Sequence, residues 1–214
     1  MRCLSFSQEK EYEYPNFINR SLKQVLSNSD WIVIDKSLGD LNADKMEDIA
    51  LILESKNEVL ERRCSSCKIK KNKARIIVVF LKSGDSYKVV IQNNTFIARH
   101  DEGGMTLHLS PIINIQNDLL TVFYHYTRDF QSYTFQFTNN MMSIFSAESM
   151  SVNASTGNFV HDKYDFKKLQ LITEEGNISN EESKVDVLKL NVKPKLLSEF
   201  KTMYDWKVLE NKYL

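Results

Sequence analysis

The chain has 214 residues and carries 28 Lys and Arg against 28 Asp and Glu, so its formal net charge is zero. That length suffices for one core of generous size, and the balanced charge gives no global field favouring nucleic acid or a membrane surface. No apolar run approaches the roughly eighteen residues of a membrane-spanning helix, and three cysteines, Cys3, Cys64 and Cys67, cannot make a complete disulfide framework.

In chain order, residues 1–14 read as a flexible N-terminal arm. Ser5-Phe6-Ser7 before Gln8 has the small-x-small form of a signal-peptidase site. Either the start is native and the protein is cytoplasmic, or the arm is the remnant of a trimmed export signal and the protein is periplasmic. From Pro15, a residue tolerated in a first helical turn, the apolar positions Phe17, Leu22, Val25 and Leu26 predict a short peripheral helix. After it the chain reads as almost wholly extended.

The run "WIVID" leads into "GDLNADKMEDIALIL", Gly39 to Leu53. Asp40, Asn42, Asp44 and Asp48 stand at the first, third, fifth and ninth places of a loop whose alternation aims oxygens at one centre, as calcium requires. The stretch resembles the acidic loop of FG-GAP or VCBS-type repeats in integrin-like β-propellers, which also leads straight into a strand; the likeness covers Trp31 to Glu54. Two readings stand. The side chains either hold a calcium ion or hydrogen-bond the backbone N–H groups of a tight turn. Lys45 occupies the sixth place, where such loops carry glycine to reach positive φ, and it weighs toward the turn.

Beyond "DIALILE", the segment "RRCSSCKIKKNKAR", Arg62 to Arg75, holds seven basic residues and no acid, leaving 21 basic against 28 acidic residues elsewhere. Arg62, Arg63, Lys68, Lys70 and Lys71 are candidates for docking on an acidic protein surface; the alternative is a solvated loop between strands. No interleaved aromatics or RNA-binding signature accompany them, so nucleic acid is not expected. Cys64 and Cys67 have the spacing of half a zinc site, a redox pair or a local disulfide. Zinc would need Cys3 and one of His100, His108, His125 or His161 to complete four ligands.

"ARIIVVFLK" shows no alternation and should be a central strand covered on both faces. "SYKVVIQN" follows across a Gly84-Asp85 turn. His100, Asp101 and Glu102 beside Gly103-Gly104 could serve acid–base chemistry, but no nucleophile motif accompanies them, and a turn is the simpler account. "IINIQ" and "LLTVFYHYT" form a hairpin across Asn117-Asp118. The second strand places Phe123 and His125 on one face and Tyr124 and Tyr126 on the other; Tyr124, Tyr126 and Arg128 are the candidate anchors for a partner, because such side chains present large area with few rotors. "QSYTFQFTN", "MSIFSAES", "KKLQLIT" and "KVDVLKLNV" continue the strands, with residues 173–184 as a polar loop. Leu196, Leu197, Phe200, Met203 and Tyr204 fall at helical spacing and predict an amphipathic helix over 194–207.

The expectation is one mainly β domain over 1–214: an antiparallel meander in one or two packed sheets, with a short N-terminal and a C-terminal helix. From Trp31 to Thr173 the chain resembles small bacterial β-rich proteins of unassigned function. They carry a GDLN-type loop and then a strand with H-x-x-R before a Y-T-F strand, here His125, Arg128 and Tyr133 to Phe135. That build is also similar to immunity proteins of interbacterial toxin systems. The resemblance implies a monomeric, non-enzymatic inhibitor of a cognate toxin, with a calcium-dependent envelope or ligand-binding module as the alternative and no other cofactor. The absence of G-x-S-x-G, H-E-x-x-H and P-loop signatures agrees with a non-enzyme.

Overall fold

The computed structural model describes residues 11–214. A short helix, α1 (Leu22–Leu26), leads into β1 (Trp31–Gly39) and β2 (Asp48–Ser55). A small hairpin, β3 (Val59–Glu61) and β4 (Lys70–Asn72), precedes β5 (Arg75–Ser83) and β6 (Ser86–Asn93). β1, β2, β5 and β6 form a four-stranded antiparallel sheet in the order β1-β2-β5-β6. β7 (Pro111–Gln116), β8 (Leu119–His125), β9 (Phe130–Thr138), β10 (Met141–Val152), β11 (Asn158–Asp165), β12 (Gln170–Asn177) and β13 (Ser183–Lys189) form a seven-stranded antiparallel meander in chain order.

The unalternating run on β5 explains the layering. A strand that is apolar on both faces must be covered on both, and Ile76 through Phe80 are all fully buried. Ile76, Val78 and Phe80 pack with Ile49, Leu51 and Leu53 under Phe17 and Val25 from the N-terminal segment. Ile77 and Val79, with Ala50 and Ile52, pack instead against the inner face of the seven-stranded sheet, where Val122, Tyr133 and Phe135 lie. The result is a three-layer stack whose middle layer is the four-stranded sheet. No helix among the described residues is long and apolar enough to cross a membrane.

Three expectations are corrected. The N-terminal helix begins at Leu22 rather than near Pro15, because Ser21 caps it: the Ser21 side chain accepts from the Gln24 N–H and the Gln24 side chain accepts from the Ser21 N–H. Residues 173–184 are not one loop, since β12 and β13 occupy both ends and only the connection between them is a turn. The helix over 194–207 does not form. A single 3₁₀ turn, Leu197–Glu199, is followed by an extended Phe200 and then by the hairpin β14 (Lys207–Leu209) and β15 (Lys212–Tyr213). The apolar spacing there does serve burial, since Leu197 and Phe200 are inside. Asn93 Nδ2, however, donates to the carbonyls of both Leu197 and Phe200, at 2.7 Å each, diverting acceptors a helix would use. Tyr204 at φ +64° then turns the chain away. Phe200 packs on Phe96 at 5.1 Å, and Trp206 stacks on Phe166 at 5.2 Å. Of the expected arm, residues 1–10 lie outside the described residues; the Tyr12 N–H donates to the Leu60 carbonyl at 2.8 Å, so residues 11–14 are held down.

The sheets meet along β1 and β7 without a ladder. Asp35 Oδ2 accepts from the Ile113 N–H at 2.7 Å and Ser37 Oγ from the Ile115 N–H at 2.8 Å, so side chains of β1 satisfy the open edge of β7. This approach requires Gly39: a Cβ there would lie 2.6 Å from Ile115 Cγ2 and 3.1 Å from the Ile115 carbonyl oxygen. Gly39→Ala is expected to destabilise the protein by about 1–3 kcal/mol, since the strand must shift to admit the methyl. Urea unfolding monitored by tryptophan fluorescence checks it.

Candidate partner-binding face

The connection from β6 to β7 has no helix or strand, and it is held by side chains instead. Arg99, fully buried, supplies the main anchor. Its Nε and Nη2 donate to the two Glu61 carboxylate oxygens at 2.8 Å each. Its remaining donors reach the carbonyls of Ile97 (2.6 Å), Asn94 (3.0 Å) and Arg75 (3.2 Å). Nη2 also donates to the Tyr14 hydroxyl at 2.9 Å, and that hydroxyl donates to Glu61. Burial alone would push the Glu61 carboxyl up; the two bonds from Arg99, that guanidinium's charge and the bond from Tyr14 hold it below its ordinary value. Burial pushes the Tyr14 phenol up, so it stays a donor. Arg75, also buried, donates from Nη1 to the carbonyls of Ala98 (2.7 Å) and Leu109 (2.8 Å) and from Nε to Glu54.

The tip of the β3–β4 hairpin is fastened to the same connection. Arg63 makes a two-pronged pair with Glu102, at 2.7 and 2.9 Å, and reaches the Thr95 carbonyl at 2.8 Å. Asn72 Nδ2 donates to Asp101 Oδ1 at 2.8 Å. Cys64 and Cys67 form a disulfide that closes the tip, with Cα atoms 5.0 Å apart. Around it Arg62, Lys68, Lys70 and Lys71 are exposed. Thr106 Oγ1 accepts from the Thr127 N–H at 3.1 Å, which carries the connection on to the β8–β9 turn.

These attachments enclose a groove of about 540 Å³ at one end of the seven-stranded sheet, lined by Glu102, Met105, Tyr126, Arg128, Asp129 and Tyr204 among others. A second hollow of about 550 Å³ continues it and shares Ser149, Ser151, Val160, Asp162 and Tyr204. Met105, in the lining, is 89% exposed, and Leu107, two residues on in the same connection, is 86% exposed; they are the two most exposed large apolar side chains among the described residues. Burial pushes the Tyr126 phenol up, so it stays neutral, while Tyr204 is 56% exposed. The lining combines aromatic area and small hydroxyls with the carboxylates of Glu102, Asp129 and Asp162 and one exposed guanidinium, that of Arg128.

The candidate residues divide. Tyr126 and Arg128 line the groove, and Arg62, Lys68, Lys70 and Lys71 sit on the hairpin joined to it by Arg63. Tyr124 is a correction: it is fully buried, its hydroxyl accepts from the Ala98 N–H at 3.2 Å, and burial raises its phenol to about 12, so no partner reaches it. The other parity of the same strand is the outward one, where Phe123 stacks on Phe130 at 5.7 Å and His161 meets Phe130 edge-on. Sequence reasoning missed Met105, Leu107 and Tyr204; the available signal was two large apolar residues in a Gly- and Thr-rich connection with no alternation to bury them. His100 and His108 stack on each other within the connection, at 6.1 Å, while His161 bonds Glu148 at 2.6 Å on the outer face of the sheet. Among the described residues no three His, Cys, Asp or Glu side chains are gathered as a metal would need; Cys3 lies outside them.

In the acidic loop the oxygens serve the backbone. Asp40 Oδ1 accepts from the N–H groups of Asn42 and Asp44, at 3.2 Å each, and its Oδ2 from Lys45 at 2.6 Å. Asp48, buried, accepts from the Leu41 and Lys82 N–H groups at 2.9 Å each, and burial pushes its carboxyl up against those bonds. Lys45 takes φ +68°, the conformation that favours glycine. Comparison with protein-family models, curated proteins and solved structures finds no match to this chain. Lys45→Gly is expected to stabilise the protein by about 0.5–1 kcal/mol, the strain of an L side chain in that region less glycine's backbone entropy. An unchanged or lowered urea midpoint contradicts this assignment of strain.

Proposed function

We propose that the chain is a non-catalytic protein-binding module, an immunity-type inhibitor that neutralises a cognate toxin by direct contact through the groove and the basic hairpin. The observation that carries the reading is the exposure of Met105 on a concave groove lined by Tyr126 and Tyr204, with Leu107, equally exposed, two residues further along the same connection. Interface energy concentrates where an apolar anchor meets a pocket that a partner can desolvate, and an exposed methionine beside two tyrosines offers such a site. Arg62, Lys68, Lys70 and Lys71 give the same face a positive field. A partner with an acidic patch would be steered to it and held in register, with the charge acting more on association rate than on residence time. The toxin as partner comes from the likeness of build to immunity proteins; the groove would take an apolar or aromatic protrusion, and carboxylates on the partner would meet the lysines of the hairpin rather than the groove itself.

Co-expression with the product of the adjacent gene tests the proposal. A one-to-one complex and protection of the producing cell are expected. Met105→Asp with Leu107→Asp should weaken the complex by about 2–4 kcal/mol, roughly 30-fold to 1,000-fold, with no loss of folding stability because both side chains are already in water. Lys68→Glu with Lys70→Glu should instead slow association and flatten its salt dependence. Absence of both complex and protection, or a complex indifferent to the Met105 and Leu107 changes, contradicts the proposal.

A further inference from the structure

One edge of the seven-stranded sheet is satisfied by β1; the other is open among the described residues. Within them β13 pairs with β12 alone, and every residue of it except Asp186 is exposed, with Val185 at 56% and Val187 at 63%. Its outer edge therefore presents a row of backbone donors and acceptors to water beside apolar side chains, the template on which another strand adds. The strand sequence, Ser183-Lys184-Val185-Asp186-Val187-Leu188-Lys189, restricts what that strand can be.

We infer that β13 is the interface of a two-fold homodimer, in which the β13 strands of two copies pair antiparallel and the sheets join into one continuous sheet. A two-fold axis perpendicular to the sheet leaves each side chain on its own face, and directly opposed residues in an antiparallel pair share a face. The axis must therefore pass through a residue, and β13 offers three central choices. Centring on Asp186 sets it against its own copy, and like charges directly opposite destabilise. Centring on Val187 sets Asp186 against Leu188 and Val185 against Lys189, which leaves each charge facing an apolar side chain. Centring on Val185 places Val185 on Val185, Lys184 on Asp186 of the second copy and, at the turn, Glu181 on Lys189 of the second copy. Every charge pair in that register is of opposite sign and each occurs twice, and the one charge set against an apolar side chain, Glu182 against Leu188, lies in the turn outside the strand. Lys184 already bonds Asp186 of its own strand, on the inner face and in water; in the dimer the same two groups cross the interface. The register is self-complementary in charge, and that selects a second copy of this chain over a foreign strand.

Sedimentation velocity and light scattering across a wide concentration range test the inference. A reversible dimer is expected. Lys184→Asp alone opposes two carboxylates twice and Asp186→Lys alone opposes two ammonium groups twice, so each should weaken the dimer about tenfold to a hundredfold. Mixing the two single variants one to one should restore association as a heterodimer, and the double variant Lys184→Asp/Asp186→Lys should dimerise like the parent. An unchanged circular dichroism spectrum, with a thermal midpoint equal to that of the parent at dilutions where the parent is monomeric, will show that folding is intact. A parent that stays monomeric throughout, a dimer indifferent to either single change, or a mixture that stays monomeric overturns the inference. The groove and hairpin are untouched by these variants, so their outcome is separable from that of toxin binding.

Discussion

The buried pair of Arg99 and Glu61 is the constraint on which the placement of the proposed partner-binding face depends. Taking a guanidinium and a carboxylate out of water costs several kcal/mol for each ion, and only near-complete pairing offsets that cost. Here it is near complete: the guanidinium meets both carboxylate oxygens, three carbonyls and a tyrosine hydroxyl. The partners come from the N-terminal segment, the hairpin strand β3, strand β5 and the connection itself. One side chain thus fixes the relative placement of four pieces of chain that share no ladder. Because Glu61 is held below its ordinary value in the folded state, its contribution is present above the usual glutamate range and is lost as pH falls through the depressed value.

This arrangement divides the work of the basic run. Arg63 and Arg75 point inward, clamping Glu102 and Glu54 and the carbonyls of the connection. Arg62, Lys68, Lys70 and Lys71 point outward. The segment therefore both fastens the connection and leaves four cationic side chains exposed on the hairpin. The disulfide at its tip acts in the same direction, narrowing the conformations of the exposed lysines.

Much of the architecture was legible. The unbroken apolar run of β5 announced a strand covered on both faces, and the ten runs read as extended all became strands. What escaped reading shares a cause, the replacement of local pattern by a distant contact. β11 was missed because its inward positions include Asp162, a carboxylate made tolerable by Thr173 and Lys212 from elsewhere. The C-terminal segment has helical spacing, but Asn93, about a hundred residues away, takes its carbonyls. Tyr124 and Phe123 differ by one position, and only the packing of the β6–β7 connection decides which of the two faces is covered. Arg99 itself sits in "IARHDEGG" with nothing to separate it from an ordinary turn residue. The helix start is the exception: the Ser21-Gln24 capping box is a local signal, yet the sequence reading starts the helix near Pro15 instead.

Amide hydrogen exchange on the double variant Arg99→Met/Glu61→Leu tests the central claim most directly, since removing both charges leaves neither partner stranded. If the pair is what places the face, the N–H groups of Glu102, Thr106 and Leu109, which bond within the connection, should exchange at least about tenfold faster while strands β2, β5, β8 and β9 keep their protection. Unchanged protection across the connection would contradict the account.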